Sequence, residues 1–261
     1  MREELKLFLT AVLFYTRIPC PAWVDHSPEY INKSVRYFPV IGWIVGLVSG
    51  LALLLFHWLV GPWFAVFFFI ATSVWLTGAF HEDGFADVCD GFGGGWTKEQ
   101  ILKIMKDSRV GTYAVVGLIL LIGLKSALWV EIIGQYDDIS LLLVAINGHT
   151  LSRVMAATMI FTHDYVREDA QSKAKPVAKA YSNTNLILIL LFGTIPLVFV
   201  SLTTGQWWWY LILMPLYLVK MYLGRRFYKK IGGYTGDCLG AIQQIVEVVF
   251  YLIVVLAWKF I

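Results

Sequence analysis

The stretch His81-Glu82-Asp83-Gly84-Phe85-Ala86-Asp87-Val88-Cys89-Asp90-Gly91-Phe92-Gly93-Gly94-Gly95 concentrates acids and glycines in a short span. Asp83, Asp87 and Asp90 stand at i, i+4 and i+7, so a helix gathers them within an arc of ~60°. Carboxylates stacked in this way repel one another, and a nearby membrane's low dielectric enlarges the cost. A hard divalent cation relieves the repulsion. Mg²⁺ takes one or two carboxylates and keeps positions for water and substrate phosphate. Acids scattered around a helix would suit a solvated patch, whereas acids on one face bracketed by glycines suit a metal. Asp83 and Asp87 are therefore expected as metal ligands, with Asp90 as a third ligand or as a general base. Glu82 lies ~100° away on the same helix, and a bend at Gly84 would bring it into the set.

Cations follow at once. Residues 97–108 read as an amphipathic helix opened by a Thr97–Gln100 capping box, with Ile101, Leu102, Ile104 and Met105 on its apolar side. Lys98 and Lys103 fit ordinary positive charge beside a membrane. Lys106, Asp107 and Arg109 stand at the opening of the next apolar run, where acids holding a metal beside Lys and Arg make a site for phosphate or diphosphate. Farther along, Arg153 falls inside an apolar run, where an arginine costs ~2.5–3.5 kcal/mol unless it is paired or hydrated. It should face the interior with Asn147, Thr150 and Ala157, opposite a carboxylate or a bound phosphate. His149, near the same face, reads as a satisfied interior residue. Asp237 is placed as the N-cap of the last apolar run and is expected to bind substrate, and Gly240, Gln243, Gln244 and Glu247 then line about a third of that helix as a polar path.

The elements that must position these residues are set by composition. Of 261 residues, 58% are hydrophobic and only 15% charged, and the mean hydropathy is +0.68. A soluble domain has too little polar surface to carry such a chain, and disorder, collagen and coiled coil fail on the same counts. Three cysteines make no disulfide framework. The reading is an all-α polytopic membrane bundle, treated as one catalytic domain over 1–261. Met1-Arg2-Glu3-Glu4 makes a poor signal peptide, and residues 5–16 are too short to span, so they form an interfacial helix ending near Pro19 and Pro21. Seven longer runs follow, near 38–60, 62–81, 110–133, 139–161, 184–204, 206–223 and 239–259. Lys220 is expected to snorkel, Trp63 and Trp207–Trp209 to form an interfacial belt, and Lys125 has no evident role.

Taken together, these residues resemble the adenosylcobinamide-GDP ribazoletransferase (cobalamin synthase) family. The likeness rests on Thr16-Arg17-Ile18-Pro19, Tyr37-Phe38-Pro39, the His81-to-Gly91 motif, Met105-Lys106-Asp107-Ser108-Arg109-Val110-Gly111-Thr112, and Tyr234-Thr235-Gly236-Asp237 with Leu239-Gly240-Ala241. The resemblance implies a Mg²⁺-requiring transferase of the cell inner membrane. It would join adenosylcobinamide-GDP to α-ribazole or its 5′-phosphate and release GMP. Its partners would be those substrates and membrane lipid, with no nucleic acid; a homo-oligomer stays open. Asp87-Val88-Cys89-Asp90-Gly91 also echoes the D-x-x-D-G opening of CDP-alcohol phosphotransferases, but the rest of that pattern does not follow Gly91. A Mg²⁺-dependent membrane prenyltransferase would use similar acids, but needs a second Asp-rich motif that is sparse here. An ion-coupled transporter would explain Arg153 and Glu247, but internal repeats are not seen.

Charge sets the orientation. The segments 1–37, 82–109, 162–183 and 224–238 hold 17 of the 21 basic residues, and the intervening connections hold none. Seven crossings put all 17 on one face, which the excess of Lys and Arg makes cytoplasmic, together with the active site. Reporters fused after residue 135 or 205 are expected to read as extracytoplasmic, and those after 95, 172 or 232 as cytoplasmic. An external 82–109 segment would overturn this topology.

Overall fold

The computed structural model describes residues 2–166 and 182–260. Arg167, Lys173, Lys175 and Lys179, the basic residues of the 162–183 segment, lie outside the described residues. Regular structure among those described is helical, apart from one bridge between Tyr165 and Tyr234.

α1 (Arg2–Tyr15) is too short to cross a bilayer, as expected, yet it does not simply float at the interface. Leu7, Ala11, Val12 and Tyr15 form a buried stripe, and Tyr15 stacks on Phe38 at 4.3 Å. α2 (Pro28–Ser34) begins with a proline, whose missing N–H costs nothing in a first turn. It runs through the 3₁₀ turn Val35–Tyr37 into α3 (Phe38–Val60). α4 (Pro62–Thr77) returns, and α5 (Phe80–Gly94) leaves it at 91°. α6 (Lys98–Ile104), α7 (Thr112–Ile133), α8 (Asp138–Ile160), α9 (Asn183–Thr204), α10 (Leu213–Ile231) and α11 (Gly236–Phe260) complete the chain.

By length and composition five helices among the described residues can cross a membrane, or six if α4 and α5 count as one bent span. The sequence suggested seven. α4 has only 16 residues before the bend, and the run 206–223 divides between a 3₁₀ segment, Trp207–Ile212, and α10, whose second half carries four basic residues.

α8 lies at the centre and is buried around almost its whole circumference from Leu151 to Ala157. α3 can lie against it because Gly42, Gly46 and Gly50 repeat every four residues on one face. A Cβ at Gly46 would stand 2.6 Å from the Ile146 Cα, and one at Gly42 would stand 2.7 Å from the His149 carbonyl oxygen. Small-residue stripes of this kind let membrane helices approach backbone to backbone.

Three side-chain placements differ from expectation. Lys220 does not snorkel: it is fully buried, donates to Thr162 Oγ1 at 2.9 Å and lies 5.6 Å from the centre of the Tyr217 ring. Its face of α10 is turned into the bundle, so the ammonium finds a hydroxyl instead of water. Trp63 and Trp207 are exposed as belt residues should be, but Trp208 and Trp209 are buried. Their indole N–H groups donate to Gln206 Oε1 and Thr204 Oγ1 at 2.8 and 2.9 Å, which allows them inside.

Gly46→Val is expected to destabilise the fold by at least ~1–3 kcal/mol, because backbone and not a movable side chain blocks the new atoms. Gly123, whose Cβ would meet nothing within 4 Å, should accept alanine without loss. Thermal unfolding in detergent distinguishes the two.

Candidate active site

The acidic helix is placed by a sharp bend. Gly78 and Ala79 both adopt left-handed backbone, at φ 64° and 57°. Such a conformation is free for glycine and costs alanine ~1–2 kcal/mol. Their N–H groups close α4 onto the Trp75 and Val74 carbonyls at 3.2 and 2.9 Å, and the chain turns into α5. α5 then crosses the start of α11 at close range. A Cβ on Gly84 would stand 3.0 Å from the Asp237 Cα, and one on Gly240 would stand 3.0 Å from the His81 carbonyl oxygen. Glycine on both sides of the crossing therefore lets the α5 and α11 backbones meet beside Asp237.

α5 is helical through all three aspartates, so the shared face exists. Asp83 is exposed and Asp87 half-buried on it. Asp90 is occupied elsewhere. Its two carboxylate oxygens accept the Gly111 and Ala114 N–H groups at 2.6 and 2.8 Å, which holds the start of α7. Glu82 points inward, where Oε1 accepts Gln244 Nε2 at 2.9 Å and Oε2 is buried without a partner. No bend at Gly84 brings it round to the aspartates. Among the described residues, no group of three or more His, Cys, Asp or Glu side chains is placed to hold a metal ion.

The Thr97–Gln100 capping box is present, although α6 ends at Ile104, four residues short of the expected helix. Beyond it Arg109 grips Asp107 through Nη2 at 2.6 Å and Nε at 3.0 Å. That guanidinium holds the Asp107 carboxyl down at about 2, so the pair stays ionised at neutral pH. Arg109 and Lys106 are both exposed, and Arg109 is oriented by Asp107 before any ligand arrives. Asp237 is not the N-cap of α11. Thr235 holds that position, its Oγ1 accepting the Cys238 N–H at 3.4 Å, and Asp237 sits in the first turn. There its charge favours the positive end of the helix dipole.

Below this surface lies a charged core that ties four helices together. Glu247 of α11 is fully buried, ~16 Å along its helix by the 1.5 Å rise per residue. Its Oε1 lies 3.0 Å from Lys125 Nζ of α7, and its Oε2 accepts Gln243 Nε2 at 2.6 Å and lies 3.3 Å from His149 Nδ1 of α8. Lys125 also donates to Gln244 Oε1 at 2.9 Å, and Gln244 reaches Glu82 of α5. Arg153 faces inward as expected. Its Nη1 donates to the His149 carbonyl at 2.8 Å, its guanidinium lies 5.6 Å from the centre of the Phe38 ring, and its Nε is buried without a partner. Among the described residues no carboxylate lies within ion-pair distance of it, so it is not joined to Arg109 or to the aspartates directly. Lys125 had no role on sequence grounds. Its signal was there in two spans that carry opposite charges at similar depth.

The sequence model of the family described as Cobalamin-5-phosphate synthase matches residues 7–255. A protein of Shewanella piezotolerans named adenosylcobinamide-GDP ribazoletransferase is 46% identical over 98% of this chain and 96% of its own length. Namesakes from Shewanella amazonensis and Shewanella frigidimarina are 46% and 42% identical, over 99% and 97% of this chain and 98% and 95% of their own lengths. The chain belongs to this family. Membership sets aside the prenyltransferase and transporter readings. No solved structure matches the chain.

Removing one partner of a buried ion pair leaves the other uncompensated, at ~3–5 kcal/mol. Lys125→Met and Glu247→Gln are each expected to lower detergent-phase stability by that order. The double variant should recover a good part of the loss, and thermal unfolding of all four proteins completes the cycle.

Proposed function

We propose that this chain catalyses the reaction for which its relatives are named, joining a ribazole acceptor to adenosylcobinamide-GDP. The near full-length family match carries this reading, and the arrangement at the crossing of α5 and α11 supports it. A hydroxyl oxygen of the acceptor attacks the phosphorus attached to the cobinamide, the bond from that phosphorus to the GMP oxygen breaks, and GMP departs. The hydroxyl proton passes to a carboxylate. Such a transition state asks chiefly for positioning and for neutralisation of phosphate oxygens.

Mg²⁺ fits the residues present. Asp83 and Asp87 share one half-exposed face, and Gly84 and Gly240 admit Asp237 from the neighbouring helix. One or two hard carboxylates with room for water and phosphate are what this ion prefers. When bound, it would neutralise the diphosphate and stabilise the departing GMP oxygen. We assign Asp90, bonded by two backbone N–H groups, to holding the loop that carries Lys106 and Arg109. Glu82 is assigned to anchoring α5 on the charged core. Lys106 and Arg109 then meet phosphate from the solvent side. Arg153, with Nε uncommitted, attracts the same charge from beneath. The active site lies on the cytoplasmic face of the inner membrane, a reading supported by the basic residues around it.

Asp83→Asn and Asp87→Asn should each raise the Mg²⁺ concentration for half-maximal turnover roughly 10–100-fold, the value of one charge-assisted contact. Asp90→Ala should instead leave that concentration near wild type and lower stability by ~0.5–2 kcal/mol, as for a lost helix cap. Mg²⁺ titrations of turnover beside detergent-phase unfolding make the comparison. Unchanged Mg²⁺ dependence in folded, active Asp83 and Asp87 variants would move the metal elsewhere.

A further inference from the structure

A groove of about 600 Å³ lies between α1, the chain that follows it and the bend from α4 into α5. That is within the range of small-molecule sites, ~300–1,000 Å³. Its walls differ from end to end. Leu13, Phe14, Ile31 and Phe80 make it apolar and aromatic, while Arg17 brings a guanidinium and His26 an imidazole to it.

Arg17 is the unusual member. Its backbone N–H donates to the Leu76 carbonyl at 2.7 Å, which pins it to the end of α4. Its side chain packs directly on Gly78, in the space that any Cβ there would fill. Among the described residues its guanidinium has no hydrogen bond and no ion pair. The groove's threonine hydroxyls are committed, Thr10 to the Asp25 carbonyl at 2.7 Å, Thr16 to Val12 at 2.7 Å and Thr77 to Ser73 at 3.0 Å. An exposed planar fork lying over Gly78 beside an aromatic wall suits a phosphate on an aromatic ligand.

Position along α5 supplies the rest. Phe80, Asp83 and Asp87 fall within ~60° on one face by the 3.6-residue period, with ~10 Å between first and last. The order along the surface is therefore cation at Gly78, aromatic ring at Phe80, and acids at Asp83 and Asp87. A phosphate held at Arg17 is separated by the ring from the acids where reaction occurs, so it is not the phosphate that reacts. The donor's diphosphate belongs at the acids. The acceptor's 5′-phosphate lies away from its attacking hydroxyl.

We infer that this groove is the acceptor site, with Arg17 binding the 5′-phosphate of an aromatic nucleotide whose base lies against Phe14 and Phe80. The inference rests on the transferase reading above. It makes Arg17 a residue that selects the phosphorylated acceptor over the nucleoside.

The test uses the full-length protein in nanodiscs, with KM measured for α-ribazole 5′-phosphate, for α-ribazole and for adenosylcobinamide-GDP. Arg17→Ala should raise the ratio of the phosphorylated to the unphosphorylated acceptor KM roughly 10–100-fold, the loss of one charge-assisted contact. Arg17→Lys, which keeps the charge without the fork, should raise it less. An equal rise for both acceptors would make Arg17 merely structural, and a rise confined to the donor would give the groove to GDP; either overturns the inference. So does an effect present in anionic-lipid nanodiscs and absent in zwitterionic ones, which would assign Arg17 to lipid headgroups. Wild-type protein that transfers to neither acceptor would overturn the transferase reading and this inference together, whereas active wild type with an unmoved ratio in Arg17→Ala overturns only the inference.

Discussion

A carboxylate in the middle of a bilayer has to be paired, and the pairing of Glu247 with Lys125 constrains much else in this protein. The attraction between two such charges is offset by the cost of removing both from water, so geometry decides whether the pair is tolerated. Here the remaining oxygen valences are filled by Gln243 and His149, and Lys125 shares a second acceptor, Gln244. Each partner comes from a helix whose depth and rotation are thereby fixed. α7, α8 and α11 cannot slide past one another without breaking several bonds in a medium that offers no water as replacement. Through Gln244 and Glu82 the same constraint reaches α5, the helix that carries the acids.

The surface site depends on that anchorage. α5 is not among the helices that can cross a membrane alone, and it packs on α11 too closely to float free of it. The left-handed turn at Gly78 and Ala79 lays it at right angles to α4, and glycine contacts seat it on α11. Its two faces then meet opposite demands. His81 and Gly84 are buried against the bundle, while Asp83 is exposed and Asp87 half-buried. A site at the membrane boundary is a compromise of this kind, with a rigid apolar support below and water above. The Asp90 carboxylate continues the logic by fastening the loop of Lys106 and Arg109 to the same helix.

Much was legible in local sequence. The apolar runs specify transmembrane helices because each must satisfy its backbone internally, and the spacing of Asp83 and Asp87 specifies a shared face because a helix has one period. The capping box at Thr97 could be read for the same reason: its partners are three residues apart. Readings that required a partner from elsewhere fared less well. Lys220 was placed in water and lies against Thr162; Trp208 and Trp209 were placed in the belt and lie inside; Asp237 was taken as a cap that Thr235 supplies. In each case burial or a neighbouring donor decided the outcome, and neither has a local signature.

The sequence by itself determined that this is a helical membrane protein of one recognisable family, with its acids on one helix face and most of its basic residues gathered into four segments between the apolar runs. Those properties follow from hydropathy, charge count and helical period, which involve only residues close together in the chain. The tertiary structure alone decided that Lys125 pairs with Glu247, that Asp90 braces α7, and that Arg17 lines one groove with Phe14 and Phe80. These depend on which helices touch and at what rotation. The glycines at α3, α5 and α11 set that by letting backbones meet at distances no other residue allows.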